Sequence, residues 1–428
     1  MVLRETVCLR RLAGGDHSEE IRYGRFLGNE AVTVERIIAG WSDQTRLAAE
    51  GRHVLAVQDT SEIKFPTTQD NRRDLGKIKK GNCWGLLLHP MLALDAELGS
   101  CLGLVGGQVW TRGDEELAPH AERPLSEKES RRWVETAEAA KPVLARAGMV
   151  TFIADRESDL YMMWAGVPDG HVLSRLMNDR ALTTGGTLRG AVEKVAFRDT
   201  QVIELRERQD RPARRAGLCL RFGEATIKRP ANLRAAALPE GVALRWVEVV
   251  ETAAPDGVEP LHWLLLTTHA VSSPAQAWQI VAWYKQRWAI EQFFRTMKAQ
   301  GLKIEDSQLQ SAARLEKLIA IAAKAAVIVM QLVQARNGHD TQPASLVFTP
   351  NEIDTLAALE KRFKGKTKLQ ANPHPSSSLA WAAWIIAKLG GWNGYASSRP
   401  PGPITFYNGL AYFRACADGW ALRDVYMP

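Results

Sequence analysis

The sequence predicts an α/β fold: a sheet-based core, a strand-rich insertion inside it, and helical regions at both ends. Three observations lead there. Short apolar runs, HVLAVQD, NCWGLLLHPMLALD, CLGLVGGQVWT and MVTFIAD, cluster between residues 53 and 155. A different texture follows to about 262, with β-like segments (TQVIELRER, AGLCLRFG, LRWVEVVE) separated by Pro, Gly and Arg. Helical periodicity dominates both the first 50 residues and the stretch 306–338.

Each element has a local reason. TVERIIAGWSDQTRLAAE reads as helix, and the run from His53 is a buried strand ending on an acid, Asp59. The two runs at 82–95 and 101–111 are apolar enough to lie centrally in a sheet. Ser126-Glu-Lys-Glu129 has capping-box spacing and opens a helix to about 147. MVTFIAD returns to a buried strand that ends on Asp155, and RESDLYMMW after it reads as helical. WLLLTT (263–268) is another buried strand, and Ser273-Pro274 supplies an N-cap and an N1 proline for a long amphipathic helix. The run IAIAAKAAVIVMQLV from Ile319 is broken by Lys324 and reads as a buried helix. KRFKGKTK (361–368) reads as a loop, and AWAAWIIAKLGG as a helix stopped by a glycine pair.

The expected division is therefore a helical region at 1–50, a core at 51–175, the β-rich insertion at 176–262, the second part of the core at 263–305, and a helical region at 306–428. The chain has 428 residues, a net charge of +7 and 14 tryptophans, a balance that permits a polyanionic partner. Five scattered cysteines with no CxxC pair exclude a zinc ribbon or a disulfide scaffold. MVLRETVCLRRLAGG lacks the apolar region of a signal peptide, so a soluble, cytoplasmic protein is expected.

The chemistry-bearing pattern is YKQRWAIEQFFRTMK, residues 284–298. On one helix Tyr284, Arg287, Glu291 and Lys298 share a face, while Trp283, Ile290, Phe293, Phe294 and Met297 form a neighbouring apolar stripe. Taken alone, a solvated face of mixed charge is the stronger account of such a pattern, and three acids among 48 add nothing until their place in the fold is considered. Asp59, Asp155 and Glu291 offer hard oxygen ligands suited to Mg²⁺ or Mn²⁺, and two such ions serve phosphodiester chemistry. A strand, two antiparallel-like strands, a helix and a fourth strand ending in Asp is the order of an RNase H-like fold, which sets the first and fourth strands side by side. Arg287 and Lys298 would then hold phosphates and Tyr284 would add a neutral donor.

On these motifs the sequence resembles the DDE transposases of insertion sequence family four. Their signature, Tyr, two residues, Arg, three residues, Glu, six residues, Lys, is complete as Tyr284, Arg287, Glu291 and Lys298. VQDTSEIKF and IADRESDLY resemble the two aspartate motifs, RPARRAGLCLRFGEATIK the inserted β-domain, and IIAKLGGWNG and GLAYFRACADGWAL the C-terminal region. The resemblance implies a metal-dependent cut-and-paste recombinase acting on double-stranded transposon ends and target DNA through a hairpin, as a homodimer on DNA. It implies two Mg²⁺ ions, replaceable by Mn²⁺, held by Asp59, Asp155 and Glu291. It also implies DNA contacts by Arg175, and base stacking on Trp263 and Trp288. Only RYGRFLGN is similar to the family's N-terminal recognition region, so a shortened form is expected there. A regulatory partner and a metal-dependent nuclease remain as alternatives.

Overall fold

The computed structural model describes residues 6–67, 73–78, 83–113, 129–158, 160–166, 169–205, 213–233, 237–298, 301–339, 342–363, 371–395 and 398–426. Four short helices open the chain: α1 (Leu9–Leu12), α2 (His17–Gly28), α3 (Val34–Ala39) and α4 (Asp43–Ala48). The Asp16 carboxylate accepts from the Ser18 and Glu19 amides to start α2, and Thr33 caps α3 in the same way.

The strands of the first half are β1 (His53–Gln58), β2 (Ser61–Lys64), β3 (Gly76–Lys77), β4 (Trp84–Asp95) and β5 (Cys101–Trp110). Then come α5 (Arg131–Leu144), β6 (Met149–Ala154), α6 (Tyr161–Gly166), β7 (His171–Arg175) and α7 (Leu188–Glu193). The Ser126 end of the expected capping box lies outside the described residues. Helix α5 begins later than that motif implies, and Glu129 ahead of it instead forms a forked ion pair with Arg112, at 2.7 and 2.9 Å.

The strand-rich stretch supplies β8 (Asp199–Leu205), β9 (Arg214–Lys228) and β10 (Gly241–Glu251), followed by β11 (His262–Thr267). These strands extend the central sheet: β10 pairs along β11, and β11 pairs with β7. The result is one mixed sheet of 11 strands in the order β2-β4-β1-β6-β7-β11-β10-β9-β8, with β3 and β5 also paired to β4. The fold is thus α/β with a large mixed sheet.

Alternation along the central strands divides the core between two faces. Val54, Ala56, Phe152 and Ala154 pack toward Trp133 and Ala137 of α5, whereas Leu55, Val57 and Ile153 join the cluster on the other face. Burial on both faces explains why β4 reads as an uninterrupted apolar run. The second face is covered by α8 (Pro274–Lys285), α9 (Trp288–Met297), α10 (Ala312–Ala335), α11 (Pro350–Phe363), α12 (Leu379–Leu389) and α13 (Pro403–Tyr426).

Helix α10 is apolar and long enough to cross a membrane by composition, yet 67% of that window is buried inside the protein, against β5, α9, α12 and α13. Its lysines are spent on backbone: Lys317 donates to the Leu27 and Asn29 carbonyls, and Lys324 to that of Trp41. Lys361–Phe363 belong to α11, and the rest of the expected loop to 368 lies outside the described residues.

Candidate active site

The sheet sets the first two acids. β1 and β6 are parallel neighbours, with Val57 opposite Ile153, so Asp59 and Asp155 leave the sheet at the same level two residues later. β7 lies next, parallel to β6 with Ala154 opposite Ser174, and brings Arg175 to the same end. Each aspartate folds back onto the chain beyond it. Asp59 Oδ1 accepts from the Thr60 amide at 2.8 Å, and Asp155 Oδ1 from the Arg156 amide at 2.7 Å.

The third acid arrives from the helices. Here the structure corrects the reading of one continuous helix for residues 284–298. Ser273 and Pro274 do start α8, with the serine hydroxyl accepting from the Gln276 amide. The helix stops at Lys285, however, and α9 starts at Trp288. The junction is held by bonds from each amide to the third carbonyl back: Gln286 to Trp283, Arg287 to Tyr284, Ala289 to Gln286 and Ile290 to Arg287. Such a tightened turn has about three residues per turn and stacks residues i and i+3, setting Arg287 over Tyr284. Lys298 is likewise the non-helical cap of α9 (φ −92°, ψ −107°) rather than a residue within it. Of the apolar stripe, Ile290, Phe293, Phe294 and Met297 are buried, whereas Trp283, on the preceding helix, is only half-buried.

Arg287 is where the acids meet. Its Nη1 lies 3.0 Å from Asp59 Oδ2 and 3.9 Å from Asp155 Oδ2, and its Nη2 donates to Glu291 Oε1 at 2.7 Å. The guanidinium side chain is only 8% exposed. Burial alone would lower its pKa, but the surrounding carboxylates, Asp155 first, carry it above the usual arginine value. Burial pushes the Asp59 carboxyl up to about 6, against the pull of Arg287 and the Thr60 amide. Tyr284 is buried, which raises its phenol well above the ordinary range, helped by Asp155; its hydroxyl donates to Asp155 Oδ1 at 3.4 Å.

Among the described residues, no group of three or more His, Cys, Asp or Glu side chains is arranged to hold a metal ion. A guanidinium fills the position on which Asp59, Asp155 and Glu291 converge. The donor set nonetheless suits a hard divalent cation, being all carboxylate oxygen around a single positive charge.

The remaining residues singled out from the sequence lie nearby. Lys298 donates to the Ser61 hydroxyl at 2.8 Å and to the Glu62 carbonyl, tying the end of α9 to the strand after Asp59, and burial lowers its pKa. Arg175 donates to the His262 carbonyl at 2.7 Å, just before Trp263. Trp263 meets the Tyr284 ring edge-on at 5.4 Å, and the Arg287 guanidinium stands 5.4 Å from the Trp288 ring centre. Both tryptophans line one cavity of about 400 Å³ between α8 and the extended sheet, with Leu205, Val249 and Lys285.

A third lining residue, Trp278, was not singled out from the sequence. Its indole N–H donates to Asp199 at 2.9 Å. The signal was its helical spacing, since 278, 281, 282 and 285 share a face of α8 that leads to Trp288. Also missed were His89 and Arg132, which surround the turn carrying Asp59. The stretch 124–328, just under half of the chain and holding Asp155 and Glu291 but not Asp59, matches the family model for the transposase DDE domain, a similarity that supports a DDE transposase acting in DNA transposition and recombination.

Proposed function

We propose that this chain is a cut-and-paste transposase of the YREK-signature group, with an RNase H-like core formed by β5-β4-β1-β6-β7. It hydrolyses one strand at the end of its element, and the freed 3′-hydroxyl attacks the opposite strand to form a hairpin. The hairpin is reopened and the end is joined to target DNA. The observation that carries this reading is the convergence of Asp59, Asp155 and Glu291, from two neighbouring strands and a separate helix, on the one Arg287 guanidinium.

Asp59, Asp155 and Glu291 would hold two Mg²⁺ ions, replaceable by Mn²⁺. When bound, such ions supply activation of the attacking oxygen and stabilisation of the departing one. The chain's own side chains do the rest. Arg287, relieved of its carboxylates, is long and forked enough to take a strand phosphate bidentately. Arg175 faces the same end of the sheet from β7 and contributes a second backbone contact. Lys298 keeps the signature helix fixed to the strand after Asp59. Trp263 and Trp288 offer flat faces for a base drawn out of the duplex when the hairpin closes, stacking worth about 1–3 kcal/mol per base. Synapsis of two element ends calls for two copies of the chain on DNA.

The test uses the purified protein with Mn²⁺ and the DNA flanking its reading frame. Wild-type protein is expected to nick at the element end and to yield hairpin and joined products. Glu291→Ala is expected to abolish all three with unchanged circular dichroism, and activity persisting in that variant ends the assignment. Nicking without hairpin or joined product would select the nuclease reading instead.

A further inference from the structure

We propose that Arg132 is a positioning residue that fixes Asp59 opposite Asp155, acting through Thr60 in a closed ring of hydrogen bonds. The proposal rests on the reading of Asp59 and Asp155 as metal ligands.

The ring begins and ends on consecutive residues of α5. Arg132 Nε donates to Thr60 Oγ1 at 2.8 Å, and Thr60 Oγ1 is 2.8 Å from His89 Nδ1. His89 Nε2 is 3.1 Å from Gln58 Oε1, and Gln58 Nε2 donates to the Trp133 carbonyl at 3.2 Å. Its members come from β1, the turn after it, β4 and α5, so no local stretch contains it.

Proton accounting gives the ring one direction. The Trp133 carbonyl only accepts, so the Gln58 amide nitrogen must face it, which turns the Gln58 oxygen toward His89. His89 therefore carries its proton on Nε2 and leaves Nδ1 bare, so the Thr60 hydroxyl donates to it and is free to accept from Arg132. Each donor meets one acceptor. Gln58 and His89 are fully buried, so a broken link strands a polar group away from water.

The residues held this way are Gln58 and Thr60, the two flanking Asp59. Thr60 also offers its amide to Asp59 Oδ1, so the carboxylate's direction follows the Thr60 backbone. The guanidinium reaches the second acid motif as well, donating from Nη2 to Glu157 at 3.0 Å, two residues beyond Asp155. That limb is weak, because Glu157 is 66% exposed and water screens it. Arg132 itself is 10% exposed, donates from Nη1 to the Glu129 carbonyl and lies against Trp110 and Trp133, with ring centres 5.8 and 5.4 Å away. A buried, stacked guanidinium with every limb directed is a fixed strut.

The experiment measures Mn²⁺ binding to the whole chain without DNA, from the free-ion paramagnetic resonance signal, beside melting temperature. Groups that orient metal ligands from behind typically cost 10–100-fold in metal affinity when removed. Arg132→Met and Thr60→Val are each expected to weaken Mn²⁺ binding by about that factor. The double variant should lose little more than either single one, because both cut the same ring. Thr60→Ser, which keeps the hydroxyl, should bind like wild type. Should Arg132→Met fail to fold, Thr60→Val and Thr60→Ser carry the comparison. Asp59→Ala is the reference: if it abolishes binding while Thr60→Val and Arg132→Met bind Mn²⁺ like wild type, the strut is overturned and the metal reading survives. If Asp59→Ala binds Mn²⁺ undiminished, the metal reading fails and takes the strut with it.

Discussion

Replacing Arg287 with methionine keeps most of the side-chain volume and deletes the charge on which three carboxylates converge. Removing one member of a buried ion pair costs about 3–5 kcal/mol. The acids here are 21%, 36% and 33% exposed, so water screens part of what is left, and about half that cost is the reasonable expectation. For a chain of this size that means a fall of a few degrees in melting temperature. A divalent cation should change the picture. In wild-type protein the ion must displace the guanidinium from contacts of 3.0 and 2.7 Å, whereas in Arg287→Met it meets unpaired carboxylates. Stabilisation by a bound ion grows as RT ln(1 + [L]/Kd), about 2.7 kcal/mol at a hundredfold excess over Kd. Thermal melts across a Mn²⁺ titration should therefore show the variant starting lower, rising further, and responding at lower ion concentration. A variant as stable as wild type without metal, with an identical Mn²⁺ response, would falsify the view that this guanidinium holds the place of a cation.

Further expectations follow from other parts of the molecule. Arg287→Ala should weaken DNA binding and reduce the slope of log K against log salt by about 0.9, one phosphate contact on duplex DNA, read from filter binding at several salt concentrations. Trp288→Ala should leave nicking intact and cut hairpin yield about 5–150-fold, the equivalent of one lost stack, measured on denaturing gels. His269 is pushed down to about 3 by burial, reinforced by His171 stacked at 3.7 Å and by His53. The unfolded chain takes up that proton near pH 6.5 and the folded one does not, so stability falls as pH drops from about 6.5 toward 3. In His269→Gln the slope over that window should flatten by up to about 1.4 kcal/mol per pH unit, read from urea unfolding. A Cβ on Gly409 would sit 1.8 Å from the Ile386 carbonyl oxygen, so Gly409→Ala should cost about 1–3 kcal/mol by separating α12 from α13. Gly419→Ala on the same helix meets nothing within 4 Å and is expected to stabilise slightly.

Much of the sheet was legible because strand burial leaves a local imprint. HVLAVQ and MVTFIA became β1 and β6, and the acids that end those runs stand at one level because the two strands pair in parallel register. Ser273-Pro274 was equally readable, since capping chemistry is confined to a few adjacent residues. The break between α8 and α9 left no such trace. No proline or glycine marks it, and apolar periodicity runs straight across 285–288, so only the backbone hydrogen bonds reveal it. The role of Arg287 as common partner of three acids was hidden for a different reason. Its spacing to Glu291 is a helix neighbour relation, but its contacts to Asp59 and Asp155 span more than a hundred residues of sequence. The same holds for the ring through Gln58, His89 and Arg132, whose members carry no local pattern. That β8, β9 and β10 continue the main sheet was also beyond local reading, because edge pairing between β10 and β11 depends on where the chain returns.

Asp59 and Asp155 belong to a single stiff slab, joined by the ladder between β1 and β6, whereas Glu291 rides on ten residues of helix behind a tight corner at 286–287. Lys298 bonds the far end of that helix to Ser61 and Glu62, so the third acid is tethered to the same slab at both ends of α9. Arg287, Trp288 and Glu291 therefore share one short body whose place against the two aspartates is set by a corner at one end and a lysine tie at the other.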